Sequence, residues 1–391
     1  MKMKMIYRVI CVIVLALSAI ACEKEPEYGH SSDSTIASLG VPANNEIWFT
    51  TADGRELIYL NEEAFDVAVE SVEYSEFGIN VIRFAGVVTT IEESAFENCH
   101  NLFNISLPNS ITTIGERAFF ECINLECLTL GSGLLRCKAY AFDNCVALNS
   151  LHIPSIVHWC AIEFANPAAN PASYAQMFVV EGNKVKKLVI PNGVERVNDY
   201  AFIDNALLTE VTIPASVRYI GKQAFQSCSN IRKVATESVD AWCGIEFYDE
   251  SANPITLTGE LYQGNQLVTT LSLTSATEVK SRAFIRCSSI KSLKTGETTK
   301  TIGLEAFRGC TNLTEVTLSS ATKEIDAKAF TGCMALKSVT LLAVQPPLLG
   351  DSNVFAYNAD DRKIAVPSEA LNAYLSDAMW SIYADSIEAI K

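Results

Sequence analysis

Apolar positions along this chain recur at a constant spacing, and the polar positions between them keep the same register. The dipeptide Ala-Phe marks each copy, at Phe96, Phe119, Phe142, Phe202, Phe225, Phe284, Phe307 and Phe330. Six residues after the Phe stands Leu or Ile (Leu102 through Leu336). Nine after it stands Ile, Leu or Val (Ile105 through Val339), and eleven after it Leu or Ile in six of the eight copies. Alternation over the last positions predicts a short strand whose alternate side chains enter a core. Five residues before the Phe stands Ile91, Ile114, Val197, Ile220, Val279, Ile302 or Ile325, with Cys137 in the remaining copy. That position predicts a second short extended segment on the opposite wall. The Ala-Phe pair fits a tight helical turn, with Ala where neighbouring coils approach and Phe filling the core.

A constant period of this kind means one supersecondary unit per repeat, stacked on its neighbours. The strand motif Leu-x-x-Leu-x-Leu is that of a leucine-rich repeat. The expected fold is therefore of the α/β class, a right-handed leucine-rich-repeat solenoid with coils of about 23 residues. Short strands and turns make up most of it, with a cap at each end.

The period breaks twice, in the same way. Trp159-Cys160-Ala161-Ile162-Glu163-Phe164 is followed by Asn170-Pro171, and Trp242-Cys243-Gly244-Ile245-Glu246-Phe247 by Asn253-Pro254. Two copies at equivalent positions point to structural inserts, coils enlarged by roughly a dozen residues near 155–184 and 238–267. The solenoid then spans 79–345. A cap over 45–78 precedes it, with a hairpin expected at Asp53-Gly54. A cap over 346–391 follows, in which Ser368 is expected to start a helix carrying Leu371, Tyr374, Trp380, Tyr383 and Ile387.

The segment 1–21 places Lys2, Lys4 and Arg8 before an apolar run and ends in small residues, the layout of a signal peptide. Ser18-Ala19-Ile20-Ala21-Cys22 resembles the bacterial lipoprotein lipobox, with Ala19 where that motif usually has Leu. The resemblance implies lipidation of Cys22. Residues 22–44 form a polar tether that cannot fold alone. Its start, Glu23-Lys24-Glu25-Pro26-Glu27, resembles the signal that places some Gram-negative lipoproteins on the outer face. The expected location is the outer membrane, lipid-anchored and facing the exterior. Cleavage before Cys22 removes three basic residues and no acidic ones, which takes the net charge from −15 to −18. A field of that sign argues against nucleic acid as a partner.

Cysteine follows the repeat as well. Cys99, Cys122, Cys145, Cys228, Cys287, Cys310 and Cys333 each stand three residues after a Phe, and Asn205 replaces the cysteine once. One cysteine per coil, with no Cys-x-x-Cys pair, points to a buried ladder of free thiols rather than disulfides or a metal site.

The full unit, Ile-x-x-x-Ala-Phe-x-x-Cys-x-x-Leu-x-x-Val-x-Leu-Pro, closely resembles the BspA-like leucine-rich repeats of bacterial surface proteins. The resemblance covers about residues 45–391. It implies a binding role, since members of that family are implicated in attachment to host matrix proteins, other bacteria or surface glycans. It transfers no catalytic motif.

No phosphate loop, nucleophile elbow or zinc-binding helix motif is present in the sequence. His30, His100, His152 and His158 read as solvated or structural, and no carboxylate pair has a fixed catalytic spacing. No enzyme activity, cofactor or metal is expected. The outward strand positions run against the acidic average. They carry Lys186, Lys187, Arg232, Lys233, Lys291, Lys294 and Lys337, with Arg83 on the first strand, against Glu126, Glu210 and Glu315. Solvated charge is the plain reading of such positions. The sharper one is a ligand-binding face for an anionic glycan or an acidic patch on a host or bacterial surface protein. The expected function is a surface adhesion lipoprotein. The alternative is an accessory glycan-binding subunit of a nutrient-uptake assembly.

Overall fold

The computed structural model describes residues 39–75 and 78–390, so the expected signal peptide, Cys22 and the expected tether before residue 39 lie outside it. Repeat strands pair in parallel at the repeat period: Ile105 with Leu128 and Leu128 with Leu151, Val211 with Val234, Leu293 with Val316 and Val316 with Val339. The residues five before each Phe form a second ladder, Ile91–Ile114–Cys137, Val197–Ile220 and Val279–Ile302–Ile325. Both ladders bury these side chains in one apolar cluster. The result is a leucine-rich-repeat fold with many short strands and few helices.

The Ala-Phe segment is a third hydrogen-bonded wall. Phe96 N donates to Ala118 O at 2.7 Å, and Phe119 N to Ala141 O at 2.8 Å. It is not a helical turn throughout, because the residues two before and two after the Phe adopt left-handed φ, as at Arg117 (+54°) and Glu121 (+57°). These reversals fold the segment into consecutive tight turns and aim the Phe inward. Gly309 and Gly332 occupy the later position in the last two repeats, where φ is +75°. The rings then stack along the core: Phe96–Phe119 at 4.9 Å, Phe119–Phe142 at 5.1 Å, Phe284–Phe307 at 5.2 Å and Phe307–Phe330 at 5.3 Å. Phe355 extends the last stack at 5.6 Å.

Beside the rings runs the thiol ladder. All eleven cysteines of the described residues are free and buried. The sulfhydryls of Cys122, Cys145, Cys310 and Cys333 donate to the carbonyls of Phe96, Phe119, Phe284 and Phe307 at 3.1–3.2 Å, and Cys228 to Phe202 at 2.9 Å. Each bond reaches back one coil. Asn205 and Cys287 open their runs, so no repeat Phe carbonyl precedes them. Cys287 turns to Ser289 Oγ instead. Asn205 accepts from Leu207 N at 3.0 Å but leaves its buried Nδ2 unpaired. Asn205→Cys removes that orphan donor and is expected to raise stability by about 1 kcal/mol. A urea midpoint equal to or below that of the parent chain counts against this account.

The strands divide into three blocks, because neither ladder crosses the enlarged coils. At the first, Met177–Val180 still pairs with Ser150–Ile153, but across a longer stretch of chain than the repeat period. The chain then reverses through Asn183–Lys184 and starts a new sheet at Lys187–Val189. Tyr262 pairs with Ala235 at the second break, with the step lengthened by the same amount. The extra strand in each insert was not evident from the repeat register. Side chains join the blocks where strand pairing stops, beside backbone bonds that include Asn198 N to Cys160 O at 2.9 Å and Lys280 N to Cys243 O at 2.8 Å. Ala201 O has no repeat Phe N–H to receive, and Trp159 Nε1 (2.7 Å) and Asn170 Nδ2 (3.1 Å) take its place. Trp242 Nε1 and Asn253 Nδ2 do the same for Ala283 O, at 2.7 and 3.1 Å. At the second junction Glu250 also pairs with Arg286 (2.8 Å) and Arg308.

Both ends depart from expectation. Asp53-Gly54 turns the chain but makes no hairpin. The strand Glu46–Thr51 already has both edges filled, by antiparallel pairing with Asn80–Phe84 and Leu102–Ser106. The C-terminal helix is broken into Ser368–Ala370, Leu371–Ser376 and Trp380–Ser386. Ser368 makes no capping bond. Asp377 breaks the run, its backbone extended and its carboxylate accepting from Met379 N and Trp380 N at 2.9 and 3.0 Å. Ile387 belongs to a strand that pairs with Lys363–Val366.

Candidate ligand-binding face

The outward strand positions form rows, because residues one coil apart stand side by side. In the second block Lys187 faces Glu210, and Glu210 faces Lys233. Lys187 Nζ pairs with Glu210 at 2.7 Å. Lys233 Nζ donates to Asn265 Oδ1 at 2.8 Å and lies over the Tyr262 ring at 5.2 Å. Arg232 folds back on its own turn, giving Nη1 to Ser229 O and Ile231 O. Those carbonyls fix the guanidinium without cancelling its charge. In the third block Lys294 stands between Ser272 and Thr317, and Lys337 pairs with Asp361 at 3.1 Å.

The seven cations thus fall into two groups, on or immediately before the strands of separate sheets, Lys186, Lys187, Arg232 and Lys233 at one, and Lys291, Lys294 and Lys337 at the other. Lys186, Arg232, Lys291 and Lys294 are exposed and meet no carboxylate among the described residues. Exposed pairs such as Lys187–Glu210 are worth only about 0–1 kcal/mol, so an incoming anion can displace them. Arg83 adds little to this face, since Glu46 and Glu73 hold it. Lys363 was missed and belongs here, exposed beside Ser338 in the same row. It escaped notice because the last step, from Ser338 to Lys363, is longer than the repeat period; its signal is the alternating Lys-Ile-Ala-Val.

His152 Nε2 bonds Ser150 Oγ at 2.7 Å, His158 is tied to Ser155 Oγ at 3.1 Å through its backbone N while its buried Nε2 has no partner, and His30 lies outside the described residues. Burial holds the His158 imidazole below its ordinary pKa. Among the described residues no group of three His, Cys, Asp or Glu is placed to hold a metal ion, and no helix is long and apolar enough to cross a membrane.

The family model for the BspA type leucine-rich repeat region matches residues 68–163, 174–265 and 277–370, in 6 copies. Its interruptions fall at the two block junctions. No curated protein sequence matches the chain. Among solved structures, a leucine-rich repeat protein from Bacteroides ovatus is 20% identical, with 83% of this chain and 92% of that one covered and a TM-score of 0.37. A leucine-rich cell surface protein from Faecalibacterium prausnitzii is 19% identical, with 92% and 96% covered and a TM-score of 0.40. The pneumococcal vaccine antigen PcpA is 17% identical, with 83% and 84% covered and a TM-score of 0.36.

Proposed function

The chain belongs to the BspA-type leucine-rich-repeat family, and from that premise we propose that it is a cell-surface binding protein whose strand face captures an anionic partner. One observation carries the reading. Exposed cations without a carboxylate partner, Lys294 on an outward strand position and Lys186, Arg232 and Lys291 each one residue before a strand, recur along one wall of an acidic chain. A local field of opposite sign to the protein's average selects acidic ligands and repels basic ones. The two sheets suit a polymer that touches both groups at once, such as a uronic-acid or sulfated glycan, or an acidic stretch of a surface protein. Lipidation at Cys22 anchors the protein to the outer membrane in this reading, with the right-handed repeats facing outward and the terminal segments acting as caps. Catalysis has no place in it.

Capture of the mature chain on immobilised polygalacturonate and heparin tests the proposal. Changing Lys187, Arg232, Lys233 and Lys291 to Ser removes four charges worth about 0.5 kcal/mol each, so affinity is expected to fall roughly 30-fold. Salt at about 0.5 M should abolish capture by the parent chain. Capture that survives both changes sinks the idea.

A further inference from the structure

At the first junction, on the wall of two-residue strands, the chain leaves a polar cleft of about 330 Å³ lined by Glu163, Phe164, Arg196, Asn198 and Asp199. Glu163–Phe164 ends one sheet and Arg196–Val197 begins the next, so each presents an edge that no strand pairs. The two carboxylates there are each held through one oxygen only, whereas Asn198 is bonded through both its amide oxygen and its amide nitrogen. Arg136 Nε grips one Glu163 oxygen at 3.0 Å. Arg196 lies over the Tyr219 ring at 3.8 Å and gives Nε to Asn198 Oδ1 at 2.7 Å. Asn198 is itself tied to Ala161 O at 2.8 Å, and Asp199 Oδ1 accepts from Lys222 N at 2.9 Å. The second oxygens of Glu163 and Asp199 have no protein partner among the described residues.

We propose that this cleft is a binding site for a neutral pyranose sugar. Two half-used carboxylates and a planar guanidinium, which Tyr219 and Asn198 hold in place, match adjacent ring hydroxyls that both donate and accept. The charges of Arg136 and Arg196 balance those of Glu163 and Asp199, which disfavours a phosphate or sulfate. Phe164 alone supplies apolar lining, which disfavours a lipid. The volume stands at the lower end for ligand sites and suits one or two rings. The site lies on a different wall from the lysine rows and does not depend on them.

The second junction provides a built-in control. The same fold positions carry Glu278, Lys280 and Ser281 in place of Arg196, Asn198 and Asp199, and Lys280 pairs with Glu278 at 2.8 Å. Arg196→Glu and Asp199→Ser therefore install residues that this scaffold already accommodates. The mature chain should be titrated by calorimetry and saturation-transfer NMR with methyl glucoside, methyl galactoside, methyl mannoside and N-acetylglucosamine. At least one should bind, insensitive to salt, and weaken about tenfold or more in each variant while circular dichroism stays unchanged. The site is refuted if none of the four binds, or if binding persists in both variants. It is equally refuted if binding is lost in the lysine-row variant instead.

Discussion

Trp159→Ala is expected to cost about 3–5 kcal/mol and to split the unfolding of the protein into separate transitions. Trp159 is fully buried, and its ring packs against Phe164 at 5.2 Å and Phe178 at 5.3 Å. Its Nε1 also supplies a bond to Ala201 O across a junction where no strand pairing crosses. In a stack of repeats each unit is stabilised by its neighbours, so weakening one interface divides the cooperative unit there. Trp159→Phe keeps most of the ring volume but loses the bond and leaves a small cavity, with Asn170 left to serve the carbonyl. It should cost about 1–3 kcal/mol. Trp242→Ala weakens the second junction in the same way, and the two losses should add because the sites share no partner. Urea unfolding followed by circular dichroism reads all three. A single sharp transition in Trp159→Ala, shifted by less than about 1 kcal/mol, would show that the junction is held by something else.

The repeat was legible in the sequence because each coil needs the same few side chains at the same places. Phe must stack on Phe, Ala must admit the next backbone, and a small residue must sit beside the ring. The junctions were legible as repeated Trp-Cys and Asn-Pro segments, but their action was not. Asn170 reaches carbonyls 30 and 31 residues onward, at Tyr200 and Ala201. Nothing in a local pattern names that target. The strands Met177–Val180 and Tyr262–Gln263 were hidden because a lengthened step places them outside the register. The lysine rows were found by position alone. That Lys187 would meet Glu210 followed from the period, since the two are one coil apart. That Lys233 would meet Asn265 did not, because the hairpin carrying Asn265 lies within an insert.

Raising the pH above about 9 is expected to unfold the repeats over about two pH units. Burial pushes the thiols of Cys99, Cys160 and Cys228 up to about 12, and those of Cys127 and Cys287 up to about 11. Cys122, Cys137, Cys145, Cys243 and Cys310 are raised further by the same cause. In the unfolded chain these groups ionise near 9. Below about pH 8 both states keep their protons, and stability does not depend on the thiols. Above it the unfolded state loses protons that the folded state retains, so stability falls by about 1.4 kcal/mol per pH unit for each thiol. Ten thiols together approach about 14 kcal/mol per unit, comparable to the whole stability of an ordinary domain. Tyr174, raised to about 12 chiefly by burial, acts in the same direction only at higher pH. Urea midpoints should therefore be level from about pH 7 to 8, already be lower at about pH 8.5 and drop sharply by pH 10, recovering on return to neutral pH with reductant present. Removing two rungs, as in Cys122→Ala with Cys145→Ala, should lower stability at pH 7 yet flatten the alkaline slope. Stability that stays level to about pH 10.5, or a slope unchanged by losing two thiols, would mean that the ladder does not govern the alkaline limit.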